Sequence, residues 1–159
     1  MTRRRAAIGL IVSVALVAAV AAFGGSFTAS GIGSWYESLQ TPAWTPPNWL
    51  FGPAWTTLYL MMAVAAWLVW KQEGFAAARG PLAAYVVQIL LNGVWSAIFF
   101  GLKMPGTAFA EIVVLWLAIL VTLVLFWRRS KLAGALLMPY ILWVTYAGAL
   151  NFSVWQLNA

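Results

Sequence analysis

The chain of 159 residues has no cysteine, no histidine and only three acidic side chains, Glu37, Glu73 and Glu111. Each absence closes a class of chemistry. Without cysteine there is no disulfide framework and no thiolate to act as nucleophile or metal ligand. Without histidine, the commonest metal ligand and the commonest general base near neutral pH are both missing. The three acids are far apart in sequence, so no carboxylate pair stands at a spacing that suggests acid–base work. These residues predict neither a catalytic group nor a metal site. Charge is scarce altogether, at 8% of residues, against about a quarter in a soluble domain.

Apolar sequence fills the space that charge leaves, at 64% hydrophobic residues. A helix rises about 1.5 Å per residue, so roughly 20 apolar residues cross a hydrocarbon layer about 30 Å thick. Five runs approach or exceed that length: Ala6–Phe23, Ala54–Trp70, Pro81–Leu102, Pro105–Trp127 (interrupted only by Glu111) and Leu132–Trp155. They predict an all-α polytopic membrane protein, a single bundle of five transmembrane helices over about 6–24, 53–70, 81–102, 105–127 and 132–155. Residues 25–52 are the only long loop. Arg3, Arg4 and Arg5 before the first run resemble the start of a secretory signal, but the run is long for one and reads as a retained helix.

Charge gives the orientation. Eight of the nine bases (Arg3, Arg4, Arg5, Lys71, Arg79, Arg128, Arg129 and Lys131) fall on one side of a five-pass chain, and only Lys103 falls on the other. The positive side is cytoplasmic, which places the amino terminus inside and the 25–52 loop and carboxyl terminus outside. The net charge of +6 is therefore a topology signal. The bases are scattered through short turns and form no surface for nucleic acid.

The long loop is unusual. WTPPNWLFGPAWTTLY, residues 44–59, sets three tryptophans and a tyrosine among three prolines and leads straight into an apolar run. Ser34 and Glu37 have capping-box spacing, which predicts a short interfacial helix stopped by Pro42. Trp35, Tyr36, Trp44 and Trp49 suit the headgroup level. Within the helices, Gln88, Asn92 and Ser96 fall at spacing four beside Trp95, and Tyr140, Trp143, Ala147 and Asn151 form a second stripe. Trp55 and Tyr59 stand one turn apart. Buried amides need partners, so these stripes face the bundle interior. There they either bond neighbouring helices or orient a flat apolar ligand among the rings. Glu111, the one acid in an apolar run, is either functional or reaches an interfacial donor or a neighbouring helix.

WYESLQTPAWTPPNWLFGPAWTTLY at 35–59, QILLNGVWSAIFFG at 88–101 and PYILWVTYAGALN at 139–151 together resemble the tryptophan-rich sensory protein and translocator protein family, also called the peripheral-type benzodiazepine receptor family. The resemblance spans nearly the whole chain. It implies a five-helix bundle, often a homodimer, with a cavity closed by the first long loop, and no required cofactor. The ligand it implies is a porphyrin such as protoporphyrin IX or another hydrophobic small molecule, with membrane lipid around the bundle. Trp44 and Trp49 would belong to the covering loop, Trp55, Asn92, Trp143 and Ala147 would line the pocket, and Asn151 would lie near it. In sterol-responsive members the fifth helix ends in Leu or Val, then Tyr, then a base. Phe152 and Gln156 replace the last two here, which weakens a sterol role. Binding and sensing is the leading function in a bacterial-type inner-membrane protein. Transport of such ligands, or their degradation by light and oxygen, are the alternatives.

Overall fold

The computed structural model describes residues 2–159, and every regular element among them is helical. Four helices are long and apolar enough to cross a membrane, and the chain is a membrane protein. The first, α1, runs Arg3–Ile32, with the Thr2 hydroxyl accepting from the Arg5 amide. It runs eight residues beyond the end that its sequence suggests. Ser26 and Ser30 donate to the carbonyls of Phe23 and Phe27, and Thr28 donates to that of Gly24. The polar stretch that reads as a loop is thus satisfied within the helix. The connection that follows is 33–50, shorter than the expected 25–52. The expected capping box does not form. Because α1 continues so far, the Ser34 hydroxyl donates back to the Ser30 carbonyl, and Glu37 accepts from Asn48 instead. Only two short 3₁₀ turns remain, Tyr36–Ser38 and Asn48–Leu50.

The second helix, α2, is Phe51–Ser96, with one non-helical residue, Gly74, at φ 74° and ψ 169°. Four continuous helices therefore stand where five are expected, because 71–80 is not a loop. Helical bonding runs up to Gly74 and resumes directly after it. A straight helix of 46 residues would be about 69 Å long, yet Tyr59 bonds Asn92 and Gln88 bonds Met62. Those pairs are centred on residue 75, so the limbs 51–73 and 75–96 fold back on each other. Gly74 is the residue that permits the reversal, since its positive φ disfavours any side chain. A π turn, Ala97–Gly101, continues the second limb.

Pro105 opens α3, Pro105–Arg129, at the first-turn position where its missing N–H costs nothing. Ser130 alone links it to α4, Lys131–Leu157, and its hydroxyl accepts from the Ala133 amide. Arg129 pairs with Glu73 at 2.8 Å, joining the Gly74 reversal to the Ser130 turn at the basic end. The fully buried alanines Ala63 and Ala65 let α1 and the limbs of α2 approach closely. Large apolar side chains such as Ile11, Val114 and Leu142 are exposed, the arrangement expected where lipid is the solvent.

Candidate functional site

The polar stripes meet in one hydrogen-bonded chain. The Tyr59 hydroxyl donates to Asn92 Oδ1, Asn92 Nδ2 donates to the Tyr140 hydroxyl at 3.1 Å, and Tyr140 donates to Gln88 Oε1 at 2.9 Å. Gln88 Nε2 ends the chain on the Met62 sulfur at 3.7 Å. Gln88, Asn92 and Tyr140 are buried completely or nearly so. The chain ties both limbs of α2 to α4, and its amides find their partners in the protein. A second link runs from Trp95 Nε1 to Asn151 Oδ1 at 3.0 Å, and from Asn151 Nδ2 to the Pro105 carbonyl at 2.7 Å. It fastens the start of α3 to α2 and α4.

Beside these links, away from the basic turns, the rings form a cage. Trp55 lies 5.8 Å from Tyr59, 6.3 Å from Tyr140 and 6.4 Å from Trp143, centroid to centroid. Trp143 continues to Phe51 at 6.3 Å, and Phe51 to Tyr36 at 6.4 Å. Tyr36 then packs on Phe99 and Phe100 of the π turn. Ala147 sits under this group, where its small side chain leaves a cavity of about 20 Å³ bordered by Tyr36, Phe51, Trp95 and Phe99. A larger cleft of about 190 Å³ opens between α1 and α2, lined by Gly24, Thr28, Phe51, Trp55, Tyr59 and Ser96. Phe51 borders both spaces.

Two buried donors in this cage have no hydrogen-bond partner, Tyr36 Oη and Trp143 Nε1. Burial, with Tyr146 adding to it, pushes the Tyr36 phenol up to about 12, so it is a neutral O–H donor at any ordinary pH. An unpaired buried donor costs about 1–3 kcal/mol, which a ligand acceptor would recover. Glu111 also has both carboxylate oxygens buried without a partner. Among the described residues, no group of three His, Cys, Asp or Glu side chains could hold a metal.

The 33–50 connection covers the cage and is held at separate points. Tyr146 donates its hydroxyl to the Trp44 carbonyl at 2.8 Å, and the two rings pack at 5.6 Å. Gln40 and Asn158 exchange two bonds, the Gln40 amide to Asn158 Oδ1 at 3.0 Å and Asn158 Nδ2 to the Gln40 carbonyl at 2.8 Å. Pro47 is extended and leads into the turn before Phe51. Trp44 and Trp49 belong to this cover; Trp44 lies against Tyr146 at its outer side, and Trp49 points outward, 71% exposed. Of the residues singled out in the sequence, Trp55, Tyr59, Tyr140, Trp143 and Ala147 join the cage or its rim. Gln88, Asn92, Trp95 and Asn151 join the bonded links beside it. Phe51 and Tyr146 carry no signal of their own in the sequence. Tyr36, which reads as an interfacial ring, is 4% exposed; the adjacent Trp35 and Tyr36 in a polar segment show no period that would betray which ring is buried.

The model of the TspO/MBR family matches residues 13–156. The chain is similar to the tryptophan-rich protein TspO of Archaeoglobus fulgidus, 40% identical over 150 residues that cover 94% of this chain and 97% of that one. It is 49% identical over 128 residues to protein CrtK of Rhodobacter capsulatus, covering 79% of each. The translocator protein of Homo sapiens is 40% identical over 126 residues, covering 78% of this chain and 75% of that one.

Proposed function

Because the chain belongs to the TspO/MBR family, we propose that it is a membrane binding and sensory protein for a porphyrin such as protoporphyrin IX, or a flat apolar ligand of that kind. The ligand is held in the aromatic cage beneath the 33–50 connection. The observation that carries this reading is the pair of buried, unpartnered donors, Tyr36 Oη and Trp143 Nε1, on either side of the Phe51 ring. Polar groups of that kind among rings suit an aromatic ligand with a few acceptors at its edge.

The cavity of about 20 Å³ is far below the roughly 300–1,000 Å³ of a ligand pocket. Binding therefore requires the cage to open. Phe51 is the side chain to move: it stands next to the turn that ends the cover and separates the small cavity from the larger cleft. Moving it joins the two spaces and opens Trp143 to a flat ligand beside Trp55, which already lines the cleft. Sensing is favoured over passage, because the buried Tyr59–Asn92–Tyr140–Gln88–Met62 chain crosses the bundle between the cage and the basic end. No His, Cys or paired carboxylate supports enzymatic turnover. The limbs of α2 count as separate crossings, giving five passes. The amino terminus and the turns at Gly74 and Ser130 lie in the cytoplasm of a bacterial cell, and the cover and carboxyl terminus lie outside the inner membrane.

Tyr36→Phe and Trp143→Phe test the assignment by titration of purified protein with protoporphyrin IX, read by quenching of tryptophan fluorescence. Tyr36→Phe should keep wild-type thermal stability or gain slightly, since it removes only an unpaired donor, whereas Trp143→Phe also gives up packed ring area and should lose some stability. Each should bind porphyrin about fivefold to tenfold more weakly. Unchanged affinity in both would place the ligand elsewhere.

A further inference from the structure

The opposite end of the bundle carries a second apolar recess. It lies between α1 and the two limbs of α2, has a volume of about 270 Å³, and is lined by Gly9, Val12, Ser13, Trp67, Trp70 and Tyr85 among others. Its walls are fixed. The Trp67 indole donates to the Ala6 carbonyl at 2.8 Å, and the Ser13 hydroxyl donates to the Ala63 carbonyl at 2.7 Å. The recess depends on Gly9, where any Cβ would overlap the Trp70 indole. Its mouth is open on the lipid-facing side, where Val12 is 60% and Phe75 67% exposed.

A base stands one helical turn above each wall, on the same face. Arg5 precedes Gly9 by four residues on α1, Lys71 follows Trp67 by four on the first limb, and Arg79 precedes Leu82 by three on the second. Lys71 Nζ lies over the Trp67 ring, 4.6 Å from its centroid. The one acid at this end, Glu73, is taken by Arg129, and theirs is the only ion pair among the described residues. Arg5, Lys71 and Arg79 therefore form an unneutralised positive rim directly over an apolar slot.

We infer that this recess is a binding site for an anionic membrane phospholipid, with one acyl chain lying along Val12, Trp67 and Trp70 and the phosphate headgroup held by Arg5, Lys71 and Arg79. Charge complementarity selects this occupant. A neutral lipid would fill the slot equally well but leave the rim unpaired. Because the mouth opens sideways to the bilayer, the lipid enters from its own leaflet and needs no opening of the bundle. The site is separate from the aromatic cage and stands whether or not the cage binds porphyrin.

Native mass spectrometry on protein equilibrated with equimolar dioleoyl phosphatidylglycerol and dioleoyl phosphatidylcholine tests this, since the two lipids share their chains and differ in headgroup. Wild type should retain one phosphatidylglycerol in preference to phosphatidylcholine. A base close to an anionic lipid surface is worth about fivefold in binding, so R5Q/K71Q/R79Q should lower the phosphatidylglycerol-to-phosphatidylcholine ratio at least fivefold. Val12→Trp changes an exposed position and fills the slot, so it should lower retention of both lipids at an unchanged ratio. Melting temperature and porphyrin titration of each variant report that the fold and the cage are intact. Equal retention of the two lipids by wild type, an unaltered ratio in the triple variant, or full retention in Val12→Trp would each overturn the assignment. So would preferential retention of free oleate over phosphatidylglycerol.

Discussion

Replacing Asn92 with leucine strikes the centre of the buried chain. The change removes the acceptor for Tyr59 and the donor to Tyr140 at once. Tyr140 keeps its bond to Gln88, so it is weakened but not orphaned. Tyr59, in contrast, is left with a donor that has no other partner. Two hydrogen bonds between membrane helices are worth about 0.6 kcal/mol each on average, and an orphaned buried hydroxyl adds about 1–3 kcal/mol. The expected loss is about 2–4 kcal/mol, read by reversible unfolding in mixed micelles followed through tryptophan fluorescence. Tyr59→Phe removes the orphan, so the double variant should be less destabilised than the sum of the two single ones by about 1 kcal/mol. Additivity within about 0.3–0.5 kcal/mol would refute the picture of a coupled chain. If Asn92→Leu leaves stability intact while porphyrin affinity falls tenfold, the amide serves the ligand and not the bundle.

Three further outcomes follow from the cover and the Gly74 reversal. Asn158→Ala removes both bonds to Gln40 and should speed porphyrin release severalfold in stopped-flow, with less than about 1 kcal/mol lost from stability because the site is exposed. Pro46→Ala with Pro47→Ala loosens the same cover through backbone entropy; release should again accelerate while helix content by circular dichroism stays constant, and an unchanged rate would mean the connection is no lid. Gly74→Ala has open space for its methyl group, but φ of 74° with ψ of 169° should cost about 1–3 kcal/mol, seen as a lower melting temperature.

Much of this architecture is legible in the residues, and the misses have physical causes. Apolar runs of membrane length fall within every one of the four long helices, two of them in α2, and Pro105 marks the start of α3. The extension of α1 is hidden because Ser26, Thr28 and Ser30 look like loop residues until their hydroxyls are seen bonding back within the helix. The reversal in α2 is hidden because one glycine does what a ten-residue loop is expected to do. For the site, spacing four places Gln88 and Asn92 on one face, but spacing is silent on what that face meets. Tyr140 and Tyr59, from other segments, turn out to be the partners. Phe51 and Tyr36 take their roles from tertiary packing alone, which no local pattern encodes.

The single-residue junction at Ser130 bears on how the protein is made. With Ser130 the only non-helical residue between Arg129 and Lys131, α3 has no slack in which to settle before α4 begins. The two helices therefore settle in the bilayer as one antiparallel hairpin, with the bases Arg128, Arg129 and Lys131 at its tip. No charged side chain occurs in 132–159, so the trailing leg meets no charge barrier during entry. The leading leg carries only Glu111 between Pro105 and Trp127. An insertion that lengthens this junction would uncouple the legs, letting α3 reach the membrane before its partner face on α4, including Thr145, which accepts from the Trp116 indole at 2.8 Å, is in place.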